Sequence, residues 1–171
     1  MTATSSSPLG RYDRAGDAEP VVAVRLLRLP LLVLAASREH HDGLMREFRL
    51  MALAQRVPAQ AAPARLLELV QVLGVQYAGA VARPDAEIDA ALDRGEDCMD
   101  VTYRVPASAA AAAQALGRLM AEADDYCRSE QLLTLARPPL ARRFADWYLG
   151  QFVSQTAGGD PVAWDGPLTV D

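Results

Sequence analysis

Val21-Val22-Ala23-Val24-Arg25-Leu26-Leu27-Arg28-Leu29, closed by Pro30, and Met99-Asp100-Val101-Thr102-Tyr103-Arg104-Val105, closed by Pro106, are the stretches whose reading decides the fold. The first is β-branched at its start and lies between Pro20 and Pro30, whereas the second alternates apolar and polar residues with period two. Both patterns predict strands. Each closing proline also suits the first turn of a helix, where a missing N–H costs nothing. The chain therefore reads as strand, long helix, further helix, then strand, long helix, further helix. Two matched segments are too few for a solenoid, but they fit a weak internal duplication. The two strands would meet as a small antiparallel ribbon within one chain, or each would pair across a dimer. A lone ribbon is marginal in water, so helices must supply most of the core.

The helices are read from 3.6-residue periodicity. From Leu31 to about Gln55, the residues Val33, Leu34, His41, Leu44, Met45, Phe48, Met51 and Ala52 fall on one face, opposite Arg38, Glu39, Asp42, Arg46 and Arg49. Asp42 and Arg46 have the favoured i,i+4 orientation, worth roughly 0.2–0.5 kcal/mol. Pro63 opens a second helix with the stripe Leu66, Leu69, Val70, Leu73, Tyr77 and Val81, ending near Gly79. A short acidic helix is expected from Pro84 to Asp93. An alanine-rich helix runs from Pro106 to about Cys127, with Leu116, Leu119, Met120, Ala123 and Cys127 on one face. After a short apolar segment, Gln131 to Ala136, Pro138-Pro139 introduces a last helix. Its aromatic face comprises Leu140, Phe144, Trp147, Tyr148, Phe152 and Val153, and Gly158 and Gly159 stop it. The expected fold class is mostly α (α+β), a helical bundle of about four main amphipathic helices carrying two short strands as a small ribbon. Residues 21–157 form one helical domain, with a disordered N-terminal segment over residues 1–20 and a loosely attached tail over residues 158–171.

Composition limits the function classes. The chain of 171 residues is 51% hydrophobic and 23% charged, enough for one domain with a real core. A net charge of -5 argues against a protein whose affinity comes from neutralising nucleic-acid phosphates, so no nucleic-acid partner is expected. All 17 basic residues are arginine, which reads as a coding bias rather than a design for anion binding. Cys98 and Cys127 belong to no CxxC or CxxH pair, so a reduced, cytoplasmic protein is expected. The apolar run Val21 to Ala36 is interrupted by Arg25, Arg28 and Pro30 and is too short to span a bilayer, so no membrane association is expected.

Both histidines lie together in Ser37-Arg38-Glu39-His40-His41-Asp42-Gly43-Leu44-Met45-Arg46-Glu47-Phe48-Arg49, the one local cluster with chemical potential. Adjacent residues on a helix point about 100° apart, unlike an i,i+4 metal pair, and no third ligand is identifiable by spacing. Histidine phosphotransfer domains also place a histidine on a helix of a bundle. They usually carry a lysine and a small residue just after it, whereas His40 is followed by His41, Asp42 and Gly43, and the chain has no lysine. The carboxylates of Asp93-Arg94-Gly95-Glu96-Asp97-Cys98-Met99-Asp100 lack calcium-loop spacing. No GxGxxG, GxxxxGK[ST] or GxSxG occurs. Catalysis is therefore not expected, and no catalytic residue, metal ligand or cofactor is assigned. Arg137, Arg142 and Arg143 flank the last helix's aromatics, including Trp147 and Tyr148, residue types favoured at interface hot spots.

Leu29-Pro30 through Arg38-Glu39-His40-His41-Asp42-Gly43-Leu44-Met45-Arg46-Glu47-Phe48, with Tyr103-Arg104-Val105-Pro106, Ala123-Asp124-Asp125-Tyr126-Cys127-Arg128, Leu132-Leu133-Thr134-Leu135-Ala136 and Trp147-Tyr148-Leu149, resembles a family of uncharacterised actinobacterial regulatory proteins. These accompany partner-switching modules of serine phosphatases, anti-sigma kinases and their phosphorylatable antagonists. The resemblance implies a bacterial signalling role with a switch kinase, antagonist or phosphatase as protein partner. The chain lacks the kinases' nucleotide signature and the phosphatases' paired metal aspartates. The expectation is thus a non-catalytic regulatory interaction module, with partner-switching control of transcription as its setting and a homodimer compatible with it. Its candidate interaction face comprises His40, His41, Glu47, Arg142, Arg143, Trp147 and Tyr148. The alternatives are a phosphoryl-accepting or metal-binding protein using His40 and His41, and a small-molecule sensor with a pocket between the helices.

Overall fold

The computed structural model describes residues 19–54, 58–129 and 136–170. Most of the expected disordered lead-in, and the segment 131–135, lie outside the described residues. Strands β1 (Val21–Pro30) and β2 (Cys98–Pro106) pair antiparallel within the chain, with Val22 opposite Val105, Val24 opposite Tyr103 and Leu26 opposite Val101. The period-two pattern sends Val24, Leu26, Val101, Tyr103 and Val105 inward, and Ala23, Arg25, Thr102 and Arg104 outward. Between Leu26 and Leu29 the register shifts, so that Leu27 and Arg28 together face Asp100. This bulge lets Leu26 and Leu29, three residues apart, both reach the core. Its cost is an arginine at φ 55, which Asp100 offsets by accepting the Arg28 N–H at 2.7 Å.

The helices are α1 (Leu31–Leu53), α2 (Ala62–Gln76), α3 (Ala78–Asp93), α4 (Ala109–Ser129) and α5 (Pro139–Thr156). The protein is accordingly a mostly α, α+β domain built on a two-stranded ribbon. Pro63 and Pro139 occupy first-turn positions as expected, but Pro30 and Pro106 are the last residues of their strands. The short helix expected from Pro84 instead begins at Ala78, running through Gly79 with Pro84 inside it. Ala80 and Val81 pack against the core, and that burial outweighs the hydrogen bond lost at Pro84. The described residues thus hold the four main helices and the additional short one that the sequence predicts, the latter beginning earlier.

Two apolar clusters fill the interior. One surrounds the ribbon and takes in Leu31, Val33, Leu34, Ile88, Phe144, Phe152 and Trp164. The other joins the second half of α1 to α2 and α4 through Leu44, Met45, Phe48, Leu66, Leu119, Ala123 and Cys127. The tail after α5 corrects the sequence reading. Gly158, at φ 89, reverses the chain, and Trp164 returns to the core with 1% of its surface exposed.

That return also closes the outer edge of β1. Gln155 Oε1 accepts the Arg25 N–H at 2.9 Å, its Nε2 donates to the Arg25 carbonyl at 2.8 Å, and the Trp164 N–H donates to the Leu27 carbonyl at 3.0 Å. A side-chain amide thus imitates a neighbouring strand. Gln155→Ala leaves both Arg25 groups without that partner and is expected to cost about 1–3 kcal/mol, measured by urea denaturation against wild type.

Candidate binding site

A cavity of about 380 Å³ lies between α1, α4 and α5, where the two apolar clusters meet. Its origin is legible residue by residue. The apolar stripe of α1 is continuous from Leu31 to Leu34 and again from Leu44 to Phe48, but Ser37, Arg38 and His41 occupy the core-facing positions between them. On the facing side, α5 offers the small Ala141 and Ala145 beside Phe144, Tyr148 and Leu149, and α4 offers Leu116 and Met120. Short side chains against a polar interruption leave unfilled space, because dense packing requires complementary volumes. The walls are mainly apolar, with polar groups at Arg38, His40, His41, Asp42, Arg137 and Tyr148.

The charged groups around the cavity are held by one another. Arg38 donates to Asp85 at 2.7 Å and lies 3.5 Å from Asp89, tying α1 to α3. Asp42 and Arg46 are not among the ion pairs of the described residues, and the cross-bundle pair of α1 is made by Arg38 instead. Arg137, just before α5, is bound by Asp124 of α4. One carboxylate oxygen accepts the Arg137 backbone N–H at 3.0 Å, and the other faces the guanidinium at 2.9 and 2.8 Å. Both residues are buried. The Tyr148 hydroxyl donates to that of Tyr103 at 3.1 Å, and burial pushes both phenols above their usual range, so both remain neutral. Cys127 is also inert in character, its thiol pushed up to about 11 by burial and by Asp124.

His41 is held below its ordinary value of 6.5, chiefly by burial, with Arg137, His40 and Arg49 adding to the effect and Asp42 opposing it. Above pH 6.5 the imidazole is neutral in folded and unfolded chains alike, and its contribution to stability is intact. As pH falls below 6.5 through the lower folded value, the unfolded chain takes up a proton the folded one resists, so stability falls. Wild type is therefore expected to lose more stability than His41→Leu between pH 7.5 and 5.5, as read by denaturant midpoints. His40 presents a different feature, since its Nε2 is buried and has no hydrogen-bond partner among the described residues.

The candidate interaction residues do not form one face. Of these, His40 and His41 from α1 and Tyr148 from α5 come together at the cavity. Trp147 and Arg143 are engaged by the tail. The Trp147 indole N–H donates to the Val162 carbonyl at 2.9 Å, while Arg143 pairs with Asp165 at 2.8 Å and lies 5.3 Å from the centre of the Trp164 ring. Glu47 is exposed on the outer side of α1, and Arg142 is half-buried outside the cavity lining. The sequence reading set Arg137 beside the last helix's aromatics but missed its place at the cavity and Asp124 as its partner. An aspartate beside the α4 core stripe was the only available sign, and nothing in the sequence says which of 17 arginines would meet it. No group of three or more His, Cys, Asp or Glu side chains converges on a metal-binding arrangement among the described residues.

Fold and site together define a mostly helical α+β protein with a side-chain-lined cavity at the seam of two cores. Among the described residues no helix is long and apolar enough to cross a membrane. Compared with protein-family models, curated proteins and solved structures, the chain matches none.

Proposed function

We propose that this protein is a non-catalytic regulatory module that binds a small molecule in the cavity between α1, α4 and α5. The observation that carries this reading is the cavity itself, about 380 Å³ with mainly apolar walls and a few convergent polar groups, the common constitution of small-molecule sites. Among the expectations drawn from sequence it favours the sensor over the flat interaction face, since Trp147 and Arg143 are already occupied within the chain. It also ranks below it the phosphoryl- or metal-accepting pair, because Asp42 beside His41 would repel an incoming phosphoryl group and no group of three or more His, Cys, Asp or Glu side chains converges among the described residues. The resemblance to partner-switching proteins supplies the regulatory setting. Occupancy of a seam between two cores would alter how α1 and α5 present their outer faces to a protein partner.

A thermal-shift screen of a fragment library tests the reading. A ligand at a hundred times its dissociation constant adds about 2.7 kcal/mol to stability. Hits are expected that lose their effect in Ala145→Phe, which fills the cavity, or in Ala141→Leu if the first variant does not fold. A library without a single hit sensitive to either variant would overturn the proposal.

A further inference from the structure

We infer that the cavity selects an uncharged molecule with an apolar body and a single hydroxyl-type group, and that His40 is the residue meeting that group. This rests on the cavity being a ligand site and specifies what it takes.

Charge is the first discriminator. Both arginines at the cavity already face carboxylates, Arg38 at 2.7 and 3.5 Å and Arg137 at 2.8 and 2.9 Å. An entering anion would therefore meet guanidinium groups whose charge is compensated, together with the Asp42 carboxylate on the same wall. An entering cation would find Asp85 and Asp124 committed to arginines and Asp42 exposed, where water screens it, and would lose its hydration against apolar walls. An uncharged body loses nothing on leaving water and gains contact with Leu34, Leu116, Met120 and Phe144.

Hydrogen bonding is the second discriminator. The Tyr148 hydroxyl is already engaged as a hydrogen-bond donor to Tyr103. His40 alone carries a buried side-chain nitrogen with no partner among the described residues. His40 lines both the main cavity and a smaller one of about 60 Å³ between α1, the start of α5 and Val170. A turn of the ring toward the main cavity gives Nε2 a ligand group to bond. A hydroxyl suits either imidazole tautomer, because it can donate to a bare nitrogen or accept from a protonated one.

Isothermal titration of the full chain at pH 7.5 with 2-naphthol, 2-naphthoate and naphthalen-2-ylmethylammonium separates the alternatives, since the three share one apolar body and differ in the head. One 2-naphthol per chain is expected, bound at least about tenfold more tightly than either ion, with His40→Phe weakening it by about tenfold, the worth of one hydrogen bond. The free His40→Phe protein should melt no lower than wild type, and His40→Leu serves if phenylalanine does not fold. Equal or tighter binding of an ion, or 2-naphthol binding untouched by both variants, overturns the assignment of an uncharged hydroxyl ligand and leaves the cavity reading standing. No binding of any probe, together with an empty fragment screen, overturns both.

Discussion

Asp124→Ala is expected to destabilise the protein by about 3–5 kcal/mol, because it leaves Arg137 buried without a counter-charge. The pair is unlike the other ion pairs of the described residues. Its side chains are 2% and 8% exposed, whereas Arg65 and Glu122 are 48–50% exposed. Asp124 also accepts the Arg137 backbone N–H, so alanine removes a ligand from the main chain at the start of α5 as well as a charge. At roughly 2–4 °C per kcal/mol for a domain of this size, the melting temperature should fall by roughly 6–20 °C. Arg65→Ala is the control, expected to cost no more than about 1 kcal/mol because solvent screens its pair. The double variant Asp124→Leu/Arg137→Met should recover part of the loss, since two apolar side chains leave no unpaired charge. A loss for Asp124→Ala no greater than for Arg65→Ala would show that α4 and α5 are not tied at this point.

Trp164→Ala is expected to cost about 3–5 kcal/mol, a core-sized loss from a residue in the tail. The indole packs edge-on against Phe144 and Trp147, with ring centres 5.8 and 5.4 Å away, and its N–H donates to the Pro167 carbonyl at 2.8 Å. Gly166 makes that wrap feasible, since a Cβ there would stand 2.3 Å from the indole ring. The Trp164 backbone also closes the edge of β1, and its carbonyl accepts from the Arg28 guanidinium at 3.0 Å. Removing residues 159–171 should therefore destabilise at least as much as Trp164→Ala, and both should be visible in chemical denaturation. A truncated chain with the wild-type midpoint would restore the view of the tail as an appendage.

What could be read in advance followed local physics. Val101, Tyr103 and Val105 alternate with Thr102 and Arg104, so the inward face of β2 was fixed by its own pattern. The stripes of α1 and α4 likewise named Leu44, Met45, Phe48, Leu119, Ala123 and Cys127 as core. His40 and His41 stood out as the chain's two histidines, side by side in a charged stretch, and both line the cavity. The start of α3 and the role of Trp164 were not legible. The first depends on Ala80 and Val81 finding a core made by distant residues, and the second on a reversal at Gly158 that brings Trp164 to Phe144 and Leu27.

The two strands and most core positions of the long helices follow from sequence alone, because each is a matter of neighbours within a few positions, although Arg38, which periodicity sets on the outer face of α1, lines the cavity. Tertiary structure alone decided that the strands pair within one chain, that the break in α1 faces two alanines of α5 to leave a cavity, and that Arg137 rather than another arginine meets Asp124. Those outcomes depend on contacts between residues far apart in the chain, and a one-dimensional pattern carries hydrophobic period without carrying the partner.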